Sequence, residues 1–319
     1  MLRLSIIIPL YNVEQYIGKC LESCLAQDLP EDDYEIIVVD DGSPDNSSAI
    51  VEEYIEKNKN IRLVHRENGG LSAARNTGLK EAQGKYVWFV DSDDWIEPDC
   101  LSFLVDFAED KHLDVLCFGL QLAYPDGRRN VYNINHEESG NVYKGEEFIC
   151  RVKMPSAAWV ALYRRLYLEE HGLSFMEGIL HEDQEFTPRA YSLAASISYV
   201  NKMIYNYNQR DGGIMKSNRD KQRAIDLLKV ANSLHLFANR HFDRNGNAYK
   251  VLSQNTAFAF TQSLAYYNRT FFPLSNYTHS PCYPLSVSLW MKFGESLKYR
   301  IVNVSVPLYL AIYRILKKR

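Results

Sequence analysis

The chain has 319 residues, 46% of them hydrophobic and 24% charged, and a formal net charge of −4. That length supports one large or two ordinary domains with a real core, and the composition excludes a disordered chain. Without a basic surplus there is no ground for nucleic-acid binding. The cysteines form no CxxC pair. Cys20 and Cys24 share an apolar helical face with Ile17, Leu21 and Leu25, and read as core residues in a reducing compartment. No secretory leader is visible, and no stretch holds the roughly 20 apolar residues that span a bilayer. The expected location is the cytoplasm, in solution or peripheral on the inner face of the plasma membrane.

In chain order, Ser5 to Pro9 reads as a strand and Val13 to Gln27 as a helix. Tyr34 to Val39 is a near-continuous apolar strand, the mark of a sheet covered on both faces. Asp45 or Asn46 caps a helix that runs to about Lys57. Ile61 to His65 is a third strand, Leu71 to Ala82 a helix stopped by Gly84, and Tyr86 to Val90 a fourth strand. A helix from Pro98 to Asp110 and a strand from Asp114 to Leu122 continue the alternation. This order predicts an α/β domain with a mostly parallel central sheet flanked by helices.

Beyond residue 140 the pattern loosens. Lys144 to Val152 and Arg165 to His171 look helical and Trp159 to Tyr163 strand-like. A loop through Gly178 feeds a helix that opens with Glu182, Asp183 and Glu185. Ser196 to Val200 and Met203 to Tyr207 read as two short strands. The rest is mostly helical, with a soft boundary near residue 215. The apolar stretch Ile301 to Tyr313, interrupted by Asn303 and Pro307, precedes Arg314, Lys317, Lys318 and Arg319. Leu308, Ile312, Ile315 and Leu316 share one face. It reads either as an interfacial helix on an anionic membrane or as a terminal helix packed on the core.

The chemistry concentrates at strand ends. Val87 to Val90 is a buried strand that terminates in Asp91, Asp93 and Asp94. Carboxylates this close repel one another, and a hard divalent cation relieves the repulsion. In open α/β sheets, ligands bind outside the carboxyl ends of strands. The first and second strands also end in polar groups, Tyr11-Asn12 and Asp40-Asp41, so parallel strands bring all three endings to one edge.

Five ordered blocks carry a resemblance. They are Ser5 to Asn12, Val38 to Asp45, Asn68 to Gly78, Asp91 to Asp94, and Glu182-Asp183. Over roughly residues 4 to 215 they resemble the family-two inverting glycosyltransferases of the GT-A (nucleotide-diphospho-sugar transferase) fold, of the bacterial cell-surface polysaccharide type. The resemblance implies that Pro9, Tyr11 and Asn12 lie at the base of a UDP-sugar donor, with Asp40 accepting the uracil N–H and Arg75 contacting base or phosphates. It implies Asp91 at the ribose or in a metal shell, and Asp93 as ligand of Mn²⁺ or Mg²⁺ bridging the diphosphate. It implies that Asp183, ahead of Glu182, is the base for the acceptor hydroxyl, with Glu182 supporting it or binding acceptor. Gln209 to Ile214 resembles a segment that closes over the donor, Arg210 steadying the diphosphate and Gly212 and Gly213 acting as hinges.

The chain departs from relatives at Val160-Ala161, where Asn-Lys is common after the tryptophan matching Trp159. It also lacks the Gln-x-x-Arg-Trp motif of processive synthases, so single-sugar addition is expected. The expected acceptor is an oligosaccharide or a lipid-linked sugar. Residues 1–215 form the expected transferase domain. Residues 216–319 form a helical region for acceptor, membrane-surface or oligomer contacts, a homodimer among them. Two alternatives stand beside this reading: a nucleotide-sugar-binding protein without turnover, and a sugar-nucleotide pyrophosphorylase, for which the turn after the first strand lacks the glycine-rich basic loop.

Overall fold

The computed structural model describes residues 2–132, 138–210, 220–267, 273–285 and 293–317. Gly212 and Gly213 lie outside them. By internal contacts the chain forms two compact units. The first is Met1–Gly178 with Ala190–Lys216, and the second is Ile179–Arg189 with Ser217–Arg319.

The first unit is built on strands β1 (Leu4–Leu10), β2 (Tyr34–Asp40), β3 (Ile61–His65), β4 (Tyr86–Phe89), β5 (Trp95–Ile96), β6 (Val115–Ala123), β7 (Arg129–Val131), β8 (Val142–Tyr143), β9 (Ala161–Arg164) and β10 (Ile197–Asn208). Helices α1 (Ile17–Leu25), α2 (Ser47–Ile55), α3 (Leu71–Glu81), α4 (Leu101–Asp110), α5 (Gly145–Arg151) and α6 (Arg165–Glu170) fall between them. Helix α7 (Glu182–Ser192) begins in the second unit.

The strands make one sheet in the order β3-β2-β1-β4-β9-β6-β10-β5, with β7 on β6 and β8 on β10. The pairs β1–β2, β2–β3, β1–β4 and β6–β10 are parallel. Strand β9 runs antiparallel between β4 and β6. The six main strands β1–β4, β6 and β10 therefore share one direction, and the antiparallel members are short. Every residue of β1, β2 and β4 is buried, as expected of strands covered on both faces. Trp88 packs edge-on against Phe118 at 5.0 Å in this core. Helix α3 lies close on the sheet because Gly78 has no side chain; a Cβ there would stand 2.3 Å from the Ile7 methyl.

Three local expectations change. Helix α1 begins at Ile17 rather than Val13, with Ile17, Cys20, Leu21 and Cys24 buried at the predicted spacing. The two short strands after residue 195 are one strand, β10. Register shifts against β6 between Val200 and Met203 and between Met203 and Tyr205 absorb the extra residues, as a bulge does. The apolar C-terminal stretch is two helices.

The second unit holds the start of α7, then α8 (Asp220–His241), α9 (Asn247–Ala265), α10 (Ser275–Thr278), α11 (Phe293–Val304) and α12 (Val306–Lys317). Its core includes Leu234, Phe260, Leu264, Tyr277, Val302 and Tyr309. Pro307 lacks the N–H that a continuous helix needs, and the break falls at Ser305, two residues before it. Among the described residues, no helix is long and apolar enough to cross a membrane.

Candidate active site

Strands β1, β2 and β4 run parallel, so their carboxyl ends open on one edge. Tyr11 leaves β1 half exposed, at 51%. Asn12 follows in the left-handed region, φ 55°, its N–H donating to Ser43 Oγ at 2.8 Å. Pro9 is buried within β1 opposite Val39. Asp45 ties this corner together, accepting from the Ser43 and Ser47 hydroxyls and the Glu14 N–H. Burial works against its charge, but these bonds outweigh it and hold the carboxyl at about 2.

The two aspartates after β2 do different things. Asp40 accepts from Ser43 N–H at 2.8 Å and Ser48 Oγ at 2.7 Å, and lies 3.0 Å from His65 Nδ1. A base N–H reaching Asp40 would share those oxygens. Asp41, a strand-end residue to which the sequence pattern gave no role of its own, is 2% exposed. It accepts from Arg66 Nη1 at 2.6 Å and from the backbone N–H groups of Gly69 and Gly70 at 2.9 and 2.7 Å. Asp41 thus fixes the glycine turn that opens α3, where Gly70 has φ 87°, a conformation that side-chain-bearing residues rarely adopt. The only available signal was its adjacency to Asp40.

Arg75 projects from α3 and is 1% exposed. Its Nη2 donates to Asp91 Oδ1 at 2.6 Å, and its guanidinium lies over the Phe175 ring at 5.1 Å. A surface helix charge, the plain alternative for an arginine here, does not describe it. Asn76 alongside bonds the Phe175 backbone in both directions at 2.9 Å, pinning that ring.

The loop after β4 is drawn across the sheet edge to β10, because Trp95–Ile96 pairs with Tyr205 and Asn206. Asp94 is the anchor. Its Oδ2 accepts from the Tyr205 hydroxyl at 2.8 Å and its Oδ1 from Asn208 N–H at 2.8 Å. Asp93 instead meets Arg210 Nε at 2.6 Å, and the Arg210 guanidinium stacks over Tyr16 at 4.6 Å. Burial and the neighbouring Asp91 charge raise the Asp93 carboxyl above its ordinary value, with Arg210 opposing. Burial, then Asp93 and Asp91, raise Asp94 further.

Trp95 lies under the Lys19 ammonium. Trp159 stacks on Tyr205 at 4.2 Å and receives the Trp88 indole N–H on its backbone carbonyl, a packing role.

This donor set suits a hard divalent cation. Burial and the Asp91 charge make Asp93 costlier to ionise, while Asp94 is committed to Tyr205 and Asn208. Among the described residues no three acidic, histidine or cysteine groups are arranged to hold a metal unaided. A cation on Asp91 and Asp93 would therefore complete its shell with oxygens of a bound ligand or water.

Glu182 and Asp183 open α7 in the second unit. The preceding loop is tightly fixed. The Leu180 N–H donates to Asp226 Oδ2 at 2.9 Å, and Asp226 is fully buried in α8. One turn along α7, Glu185 accepts from Ser233 Oγ at 2.6 Å. Asp226 and Ser233 are seven residues, two helical turns, apart on α8 and clamp both ends of this segment. Between them His181 adopts φ 66° and is half-buried. Burial, then the Arg223 charge, push its imidazole below its ordinary value, so it stays neutral near pH 7.

Residues 5–172 match the family described as Glycosyl transferase family 2. The chain belongs to glycosyl transferase family 2. Among curated relatives, the uncharacterized glycosyltransferase EpsJ of Bacillus subtilis is 36% identical over 217 residues, 66% of this chain and 62% of EpsJ. Glycosyltransferase GlyG of Streptococcus pneumoniae is 30% identical over 250 residues, 71% of this chain and 77% of GlyG. The poly(ribitol-phosphate) beta-N-acetylglucosaminyltransferase TarS of Staphylococcus aureus is 34% identical over 273 residues, 79% of this chain and 47% of TarS. The chain spans 62% and 60% of the length of EpsJ and EpsH, two of the relatives it matches. The solved structure of TarS 1–349 in complex with UDP-GlcNAc superposes with a TM-score of 0.66 at 28% identity, covering 95% of this chain and 79% of that one. The family-2 sheet described above is accordingly the GT-A fold, with a helical C-terminal region.

Proposed function

We propose that the protein transfers a single hexose or N-acetylhexosamine from a UDP-sugar to a hydroxyl of an oligosaccharide or lipid-linked acceptor, with inversion, in cell-surface polysaccharide synthesis. The observation that carries this is the carboxylate cluster Asp91–Asp93 on the same sheet edge as Tyr11 and Asp40, in a family-2 chain. Likeness to TarS, solved with UDP-GlcNAc, supports the UDP-sugar class.

In this reading the Tyr11 ring stacks on the base, Pro9 and Asn12 shape that corner, and Asp40 receives the uracil N–H. Arg75 holds Asp91 in place beside the ribose and phosphates. Asp91 and Asp93 would hold Mn²⁺ or Mg²⁺, which would offset charge on the diphosphate. Arg210, already on Asp93, adds a second positive group as the donor arrives. Asp183 takes the proton of the acceptor hydroxyl. That oxygen bonds to the anomeric carbon as the bond from that carbon to the diphosphate breaks, and UDP leaves with the electron pair. Glu182 supports Asp183 or contacts acceptor.

The test is UDP release from a panel of UDP-sugars with Mn²⁺ and candidate acceptors, comparing wild type with Asp93→Ala and Asp183→Asn. Asp183→Asn is expected to keep donor affinity and lose on the order of 10²–10⁴-fold in kcat. Turnover that survives both substitutions overturns the mechanism.

A further inference from the structure

The sequence left α11 and α12 undecided between packing on the core and resting on a membrane. Their two faces do different things. Val302, Val306, Tyr309 and Leu310 are buried in the core of the second unit. On the other side Val304 is 80% exposed, Leu308 48% and Ile315 63%, with Leu297 at 46%. Leu297 and Val304 stand seven residues apart on α11, and Leu308 and Ile315 seven apart on α12, so each pair shares one side of its own helix. Ala311, between Leu308 and Ile315, is exposed as well. Large aliphatic groups held in a row toward water mark a surface with an occupant.

The charge of the segment says which occupant. From Phe293 onward the sequence has six basic residues, Lys298, Arg300, Arg314 and the run Lys317-Lys318-Arg319, against the single acid Glu295. The chain as a whole has a net charge of −4, so this basic excess is local. A second copy of the same face would bring like charges together across a two-fold axis. An anionic lipid surface takes up both features at once, because aliphatic side chains enter the headgroup boundary while ammonium and guanidinium groups pair with lipid phosphates. Neither helix is long enough to cross the bilayer, so the contact is peripheral.

We propose that the exposed α11–α12 face docks on an anionic membrane surface, lying in its plane. The proposal does not depend on the transferase reading.

The test is flotation of the full chain with vesicles of phosphatidylglycerol and phosphatidylcholine, against vesicles of phosphatidylcholine alone. Binding is expected only to the anionic vesicles, and to fall as salt shortens electrostatic reach. Leu308→Glu and Ile315→Glu should abolish flotation without lowering the melting temperature, since both side chains are solvent-facing. Lys317→Glu with Lys318→Glu should weaken binding about tenfold or more. The proposal is overturned if the wild type fails to float, if neutral vesicles bind equally, or if Leu308→Glu floats like wild type. It is also overturned if light scattering finds a dimer that Leu308→Glu splits, which would assign the face to a second copy.

Discussion

At the amino-terminal edge of the sheet Arg3 pairs with Asp106 and Glu109, Arg62 with Glu35 and Glu81, and Arg164 with Asp114 and Glu170. At the carboxyl-terminal edge three aspartates crowd into four residues. Arginines meet two of them, and a phenol and a backbone amide hold the third. A cavity of about 480 Å³ opens on the amino-terminal side, lined by Lys85, His112, Asp114, Arg164 and His171 among others. Its Asp114 carboxylate is fully engaged, by Arg164 and by the N–H groups of Ala195 and Ser196. The consequences for the carboxyls differ in sign. Burial would raise Glu109, but hydrogen bonds from Arg3 and Lys85 outweigh it and hold the group below its ordinary value. Burial and like charge lift Asp93 and Asp94 above theirs. Both edges pair carboxylates with arginine, but only the carboxyl-terminal edge crowds three of them within four residues and leaves two raised, the pattern expected where a ligand brings positive charge.

The sharpest way to break this comparison is to neutralise one acid at each edge. Asp93→Asn is expected to cut turnover about 10³-fold while leaving the melting temperature unchanged or raised, because an amide removes a repulsion. A lowered melting temperature with normal turnover would make this edge structural like the other. Asp114→Ala should do the reverse. It takes from the Arg164 guanidinium its two bonds at 2.9 and 2.7 Å, leaving only Glu170, and strands the N–H groups of Ala195 and Ser196. The expected cost is about 2–3 kcal/mol of stability, with turnover per folded molecule unchanged. Denaturant melts and the UDP-release assay on the same preparations give both quantities.

The carboxyl edge was legible because its signals are local. Apolar runs fix β1, β2 and β4, parallel pairing follows from the intervening helices, and the polar endings then converge by geometry. What sequence could not show depends on pairing between distant segments. Asp93 and Asp94 look interchangeable as a dipeptide. They part only because β5 pairs with β10 and brings Tyr205 and Asn208 to Asp94, leaving Asp93 to Arg210. Asp40 and Asp41 part in the same way, through the Gly69-Gly70 turn. The fusion of two apparent strands into β10 rests on a bulge at Asn201-Lys202, where polar residues interrupt the alternation. The grouping of Glu182 and Asp183 with the helical unit follows from Asp226, 43 positions later in sequence than Asp183, with no motif to announce it.

The smallest effect discriminates most cleanly, because the two edges predict opposite slopes with pH. Where a folded carboxyl is raised, the unfolded chain releases its proton first as pH climbs. The stability difference between wild type and Asp93→Asn should therefore fall from about pH 4 upward and level off above the raised folded value. Glu109 is depressed, so its contribution is complete above the ordinary glutamate value of about 4.3 and is lost as pH drops through the lower folded value. The difference between wild type and Glu109→Gln should accordingly rise with pH. With the Glu109 side chain 26% exposed, solvent screening limits it to ~0.5 kcal/mol. Mn²⁺ with UDP supplies positive charge at one edge alone, so it should flatten the Asp93 curve and leave the Glu109 curve as it was. Two difference curves that slope the same way, or a cation that shifts both equally, would mean that the edges are electrostatically alike and that the crowding of Asp91, Asp93 and Asp94 has no ligand behind it.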